Sequence, residues 1–294
     1  MWPVVGNNKN RGIYDIIHGS RVAFNNARGG HKTFRRNEVK MHKEPFTETS
    51  IFYDAIYQNK AYKKEFEFIE DKLGNLCDSN GRILEIGCGT GNFTKILMDK
   101  FKAIDALDIS KEMVTIAKGK TGNNVNYHVV DFEHFSIKNS YQGVYSLFHV
   151  ASYLGERLGS FLDFSYKALT FNQDSESNKL YLCFDFYDHR GVQKVRPTSR
   201  STQFEYEGKT YIRSSSVLGT SSSHILIKLE IEDIEKNYTV AREVHKMSIF
   251  EIKFIKSELA KRGFRVVEEL DLVNFERYSG NSYGNCVVAC LDYV

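Results

Sequence analysis

The stretch Ile83-Leu84-Glu85-Ile86-Gly87-Cys88-Gly89-Thr90-Gly91-Asn92 decides how the rest of the chain is read. An apolar run that ends in Glu-x-Gly-x-Gly-x-Gly places three flexible residues just past a strand, where the backbone can turn with positive φ and approach a ligand closely. The next segment, 92–102, carries Phe93, Ile96, Leu97 and Phe101 at helical spacing. It predicts a helix whose N-terminus faces the same ligand. The unit is a strand, a cradle and a helix, and it implies a nucleotide-type cofactor.

Spacing narrows the choice of cofactor. The dinucleotide fingerprint needs glycine or alanine at position 92, where this chain has Asn92. A phosphate-binding P-loop closes with Gly-Lys-Ser/Thr, and Gly91-Asn92-Phe93 supplies neither the lysine nor the hydroxyl. Two further acids follow at strand ends. Ala103 to Ser110 reads as a second strand with Asp108 near its carboxyl end, and Val125 to Phe132 as a third with Asp131 at its end. In open α/β sheets, ligands sit outside these carboxyl ends, so three such elements in order point to one pocket.

This pattern resembles motif I and its companion acids in class I S-adenosylmethionine-dependent methyltransferases. The resemblance implies a Rossmann-like α/β fold with a seven-stranded sheet and S-adenosyl-L-methionine as cofactor. Gly87, Cys88, Gly89 and Gly91 would form the cradle and Glu85 would order the methionine end. Asp108 would accept from the ribose hydroxyls and Ile109 and Met113 would line the adenine ring. Asp131 would accept from the adenine amino group beside Phe132, and Leu147 would complete the cofactor site. The segment Phe52-Tyr53-Asp54-Ala-Ile-Tyr57 resembles the tyrosine-bearing opening of small-molecule methyltransferases, which makes Tyr53 the expected lid contact. Gly143 to Leu154 is read as a fourth strand. It resembles the Ser-x-Phe-x-x-x-x-Tyr-Leu element of enzymes that methylate sugars, including sugar-nucleotide N,N-dimethyltransferases.

The resemblance covers about residues 46–294, with departures. The turn before the fifth strand lacks the usual Leu-x-Pro-Gly-Gly, and His189-Arg190 replaces small residues. An arginine there could pair with a phosphate or carboxylate. The run from His245 to Phe254 resembles a late helix. Methyl transfer from an already activated sulfonium gains mainly from positioning and exclusion of water. A hydroxyl acceptor also needs a base, for which His149 and His189 are the candidates, with Tyr153 orienting the acceptor.

The implied division is a basic extension over 1–45, a cofactor-binding core with a lid helix over 46–192, an antiparallel β insert over 193–245, and completing elements over 246–294. The insert is read from alternating stretches and a Glu207-Gly208 hairpin turn. It would shape the acceptor pocket or contact a second subunit as a homodimer. The first 46 residues hold nine Lys or Arg against three acids, +6, so with a chain total of +3 the remainder carries −3. The readings of that basic segment are a solvated tail, an extension upstream of a start at Met41, a nucleic-acid or lipid contact, or a transit peptide.

No apolar run reaches the roughly 18 residues that span a bilayer, and a cytoplasmic protein is expected. The five cysteines, Cys77, Cys88, Cys183, Cys286 and Cys290, form no C-x-x-C pair and are read as reduced thiols. No metal site is expected. The leading functional expectation is methyl transfer to an amine or hydroxyl of a sugar, sugar nucleotide or other small molecule. The alternatives are a macromolecule methyltransferase and a non-catalytic cofactor-binding protein. Nucleic acid is disfavoured because Phe148-His149-Val150 stands where base-methylating enzymes carry Asn/Asp-Pro-Pro-Tyr or Pro-Cys.

Overall fold

The computed structural model describes residues 45–73, 78–172, 179–195 and 199–291. The basic extension before Pro45 lies outside them, as do Cys77 and the part of the loop before the fifth strand at 173–178. After a short 3₁₀ turn, Ser50–Phe52, come α1 (Tyr53–Ile56), α2 (Tyr62–Leu73), β1 (Arg82–Ile86), α3 (Asn92–Lys100), β2 (Ala103–Asp108), α4 (Lys111–Lys118) and β3 (Val125–Val129). Then follow β4 (Gly143–Ser146), α5 (Val150–Leu154), α6 (Leu158–Thr170), β5 (Leu180–Asp188), α7 (His189–Val195), β6 (Arg200–Tyr206), β7 (Lys209–Thr220) and β8 (His224–Asp233). The chain closes with β9 (Tyr238–Phe250), α8 (Ile252–Ala260), β10 (Phe264–Asp271), β11 (Glu276–Arg277) and β12 (Gly284–Leu291).

Five strands run parallel in the order β3-β2-β1-β4-β5. β12 adds antiparallel to β5, and β10 antiparallel to β12, which completes seven. The central strands are buried on both faces, as a parallel sheet covered by helices requires. Parity sorts them: Leu84 and Ile86 join Phe161, Leu162 and Leu259 on one side, while Ile83 joins Ile69, Leu97 and Phe101 on the other. Each such side chain contributes roughly 1.5–3 kcal/mol by leaving water.

β6 to β9 form a second, antiparallel ladder. Its first turn has Glu207 at φ 49° and Gly208 at φ 71°, the left-handed pair that a two-residue hairpin needs. The last residues of β9, Ile249 and Phe250, pair with Tyr187 and Asp188 of β5. That joint welds the insert to the central sheet. The boundary read at 245 therefore falls inside β9, and the run from His245 to Phe250 is strand; helix begins only at Ile252.

The fourth strand is also shorter than its sequence suggests. β4 ends at Ser146, and Phe148 and His149 both turn to φ 66° before α5 begins. Asp185 of β5 fixes this turn by accepting the His149 N–H at 2.7 Å. Two aromatic residues in the left-handed region cost on the order of 1–3 kcal/mol each and persist where the surroundings enforce them. The turn aims α5, with Tyr153, over the carboxyl ends of the sheet.

Candidate active site

A cavity of about 350 Å³ lies at the carboxyl ends of β1, β2 and β4, roofed by α1 and walled on its far side by β9. Gly87, Gly89 and Gly91 have φ of 78°, 53° and 78°. A Cβ on Gly87 would come within 2.5 Å of Val150, and one on Gly91 within 2.9 Å of Ala117 and of the Tyr127 hydroxyl. A Cβ on Gly89 would meet no atom within 4 Å, because the loop is open there toward the cavity. Packing sets two glycines and the cradle itself sets the third.

The loop is pinned from two sides. The N–H groups of Gly87 and Cys88 donate to the Leu107 carbonyl at 2.8 and 3.0 Å, and Gly89 N–H donates to Asp108 Oδ2 at 2.8 Å. From above, Asp54 of α1 accepts from Thr90 Oγ1 at 2.7 Å and from Asn92 Nδ2 at 3.0 Å, and pairs with Lys120 at 2.5 Å. The lid helix is thus anchored to the cradle it covers.

The three acids differ in state. Glu85 is buried under the loop, does not line the cavity, and accepts from Thr94 Oγ1 at 2.6 Å. Burial pushes its carboxyl up to about 8, against the Thr94 hydrogen bond and with help from nearby Asp108. Asp108 lines the cavity and holds Ser110 N–H at 2.8 Å as well as Gly89; burial raises it despite these donors. Asp131 also faces the cavity, and its Oδ1 accepts from Arg157 at 2.6 Å and from Glu133 N–H at 3.0 Å. Burial is the largest influence and opposes ionisation there, but the Arg157 bond, the Glu133 N–H and the Arg157 charge together outweigh it and hold the carboxyl below its ordinary value.

The far wall is built from α5 and β9. The Tyr153 hydroxyl is 2.7 Å from His245 Nδ1, and His245 Nε2 is 2.7 Å from Glu243 Oε2. Tyr153 and His245 line the cavity; Glu243 lies behind them with no exposed surface. Glu243 also gathers the segment that enters α1. It accepts from the N–H groups of Phe46 at 3.1 Å, Glu48 at 2.6 Å and Thr49 at 3.1 Å, and from Thr49 Oγ1 at 3.0 Å. Burial alone would raise this carboxyl; the bond from His245 and those of the Glu48 and Thr49 N–H groups bring it down to about 2. Phe46 lies edge-on over the imidazole, 4.9 Å between centroids.

The cavity therefore brings together Tyr53, Gly87, Cys88, Gly89, Asp108 and Ile109, and with them Met113, Asp131, Phe132, Leu147 and Tyr153. Glu85, Gly91, His149 and His189 do not line it. His149 packs on Tyr187, 4.3 Å between centroids, and its Nδ1 lies 3.3 Å from Asp185 Oδ2 without hydrogen-bond alignment. Burial lowers the affinity of this imidazole for a proton, against the pull of Asp185. His189 is the first residue of α7. Arg190 is paired internally with Asp188 at 3.2 Å and Glu269 at 3.5 Å. Sequence reasoning missed His245, Glu243 and Arg157. The signal for the first two was present: polar residues two apart share one face of a strand. Reading His245 into a helix hid it.

Among the described residues no cluster of three or more His, Cys, Asp or Glu side chains is arranged to hold a metal ion, and no helix is long and apolar enough to cross a membrane.

Residues 83–170 match a family described as a methyltransferase domain. A malonyl-[acyl-carrier protein] O-methyltransferase of Ilyobacter polytropus is 40% identical over 83 residues, which cover 26% of this chain and 32% of the relative. An uncharacterized methyltransferase of Bacillus mycoides is 33% identical over 106 residues, covering 35% and 50%. The chain thus spans about a third to a half of the length of these curated relatives. Solved structures extend the likeness further. An S-adenosylmethionine-dependent methyltransferase from Clostridium acetobutylicum superposes with a TM-score of 0.64 at 19% identity, over 83% of this chain and 97% of that one. The sugar N-methyltransferase KedS8 from Streptoalloteichus gives 0.64 at 17% identity, over 90% and 98%. CalS10, an amino pentose methyltransferase from Micromonospora echinaspora, gives 0.62 at 17%, over 82% and 96%. The strand order, the loop after β1 and the superpositions agree on a class I S-adenosylmethionine-dependent methyltransferase fold, within which residues 83–170 match a methyltransferase domain.

Proposed function

We propose that this protein is an S-adenosylmethionine-dependent methyltransferase whose acceptor is an amine or hydroxyl of a small molecule of the sugar or sugar-nucleotide class. The observation that carries the reading is the composition of this cavity. Its near wall is the glycine cradle with Asp108, and its far wall is Tyr153 and His245. A cofactor half and an acceptor half face each other across a few side chains. The acceptor class rests on the fold-level likeness to KedS8 and CalS10, both described as acting on sugars.

The residues fit the cofactor. Asp108 is preorganised by two backbone donors, with carboxylate lone pairs left to accept from ribose hydroxyls. Asp131 has Oδ1 committed to Arg157 and Glu133, which leaves Oδ2 for an adenine amino group. Ile109 and Met113 supply apolar surface for the ring, Cys88 and Leu147 pack around it, and Tyr53 covers the opening. When bound, the cofactor supplies an activated methyl group on a sulfonium. The protein's task is then orientation and dryness: Tyr53, Phe46 and the Asp54 anchor close the cavity, and Tyr153 presents its hydroxyl oxygen to the acceptor.

Calorimetric titration of S-adenosylmethionine and its demethylated product tests this. Wild type is expected to bind both, and Asp108→Ala to bind at least tenfold more weakly, since hydrogen bonds to a charged group contribute about 1.5–3 kcal/mol each. Absence of binding to wild type would overturn the reading.

A further inference from the structure

The methyltransferase reading leaves the acceptor atom open, and the far wall of the cavity bears on it. Glu243 is ionised and can only accept, so His245 carries its proton on Nε2 toward it. In the neutral ring Nδ1 is then an acceptor, and the Tyr153 hydroxyl donates to it at 2.7 Å. The Tyr153 oxygen keeps its lone pairs for a donor in the cavity. The chain of groups from cavity to interior is hydroxyl, imidazole, carboxylate, the order in which a nucleophile, its base and an orienting acid are arranged in hydrolytic triads. Phe46 lies against both Tyr153 and His245, 6.0 and 4.9 Å between centroids, and screens the pair from solvent.

We infer that the acceptor group is a hydroxyl, and that His245 takes its proton through Tyr153 while Glu243 acts as a positioning residue. This rests on the methyltransferase reading and goes beyond it. A neutral amine attacks with a free lone pair and sheds its proton afterwards to water, so it has no need of a buried relay. A hydroxyl must lose its proton as it attacks. The acceptor oxygen forms the new bond to the methyl carbon as the carbon–sulfur bond breaks, with that electron pair left on sulfur. The acceptor proton passes to Tyr153 Oη and the Tyr153 proton to His245 Nδ1. The positive charge lost at sulfur ends on the imidazolium, beside Glu243.

Two measurements on the full chain test the inference. The first is ¹⁵N NMR of the histidine rings in the ligand-free protein, assigned with His245→Gln. The Nε2–H tautomer is expected at His245, and an Nδ1–H tautomer would overturn the relay. The second is turnover with thymidine-diphosphate hexoses that carry a free hydroxyl, their amino analogues at the same carbon, and hydroxyl acceptors made more acidic by a neighbouring fluorine. Wild type is expected to methylate hydroxyl members in preference to amino ones. His245→Gln and Tyr153→Phe are expected to lower kcat about 100-fold or more, the scale of general base catalysis, with cofactor affinity within about twofold of wild type. The loss is expected to be smaller on the fluorinated acceptors, a difference that a merely structural role would not produce. Preference for the amine, an equal loss on both hydroxyl types, or no transfer to any hydroxyl by cofactor-bound protein would each overturn the hydroxyl assignment. Failure to bind cofactor at all would instead remove the methyltransferase reading beneath it.

Discussion

Gly91 and Glu85 show what single residues in this molecule cost and return. Gly91→Ala puts a methyl group within 2.9 Å of Ala117 and Tyr127 at a φ of 78°. Urea unfolding is expected to show a loss of about 1–3 kcal/mol. Glu85 makes a pH prediction. Its folded carboxyl, raised to about 8 from an ordinary 4.5, holds a proton that the unfolded chain releases. Its contribution to stability is therefore full below about 4.5, declines as pH rises toward 8, and levels off above. Glu85→Gln is expected to flatten that decline in denaturation curves collected between pH 5 and 8. Glu243 works in the opposite sense: its carboxyl, lowered to about 2, supports the fold above 4.5 and loses that support as pH falls toward 2. At this scale the sequence was most legible where a residue's role is local. Glycines in a loop and acids at strand ends announce themselves by spacing. Arg157, whose partner Asp131 is 26 positions away, does not.

At the scale of elements, the contact between α1 and the glycine loop is the one whose loss is easiest to read. Asp54 alone joins Thr90, Asn92 and Lys120 to the lid. Asp54→Ala is expected to speed backbone hydrogen exchange over residues 50–57 by tenfold or more and to weaken cofactor binding severalfold, with the central sheet as protected as in wild type. Unchanged exchange would show that aromatic packing, such as Phe52 on Phe204 and Tyr211, holds the lid by itself. Elements were legible where periodicity persisted: α3, β2 and β3 fall close to their predicted spans. They were not where a distant side chain overrode the local pattern. The apolar run after Gly143 looks like one long strand, but the Asp185 carboxylate captures the His149 N–H and turns the chain into a helix. The run from His245 resembles a late helix, yet Lys246 and Ser248 alternate with buried Met247 and Ile249 at the spacing of a strand, which is what it forms.

Across the whole molecule, β9 is the member that makes two sheets act as one. It closes the antiparallel ladder, pairs with β5, and walls the cavity through Val244, His245 and Lys246. Cofactor binding is therefore expected to raise hydrogen-exchange protection in β8 and β9 as well as in β1 and β2. Protection confined to β1 and β2 would contradict this. The seven-stranded sheet was foreseeable from the resemblance of the β1 loop and its companion acids to class I methyltransferases. The joint at Ile249 and Phe250 was not, since it pairs residues 62 positions apart whose sequences carry no mutual mark. Glu243 has a consequence of another kind. One carboxylate serves both the closing segment and the imidazole, so a lineage of such proteins cannot retune one without disturbing the other. Positions 49, 243 and 245 should drift together or not at all, and Ile227 and Leu229 of β8, which pair with His245 and Glu243, are tied to the same constraint.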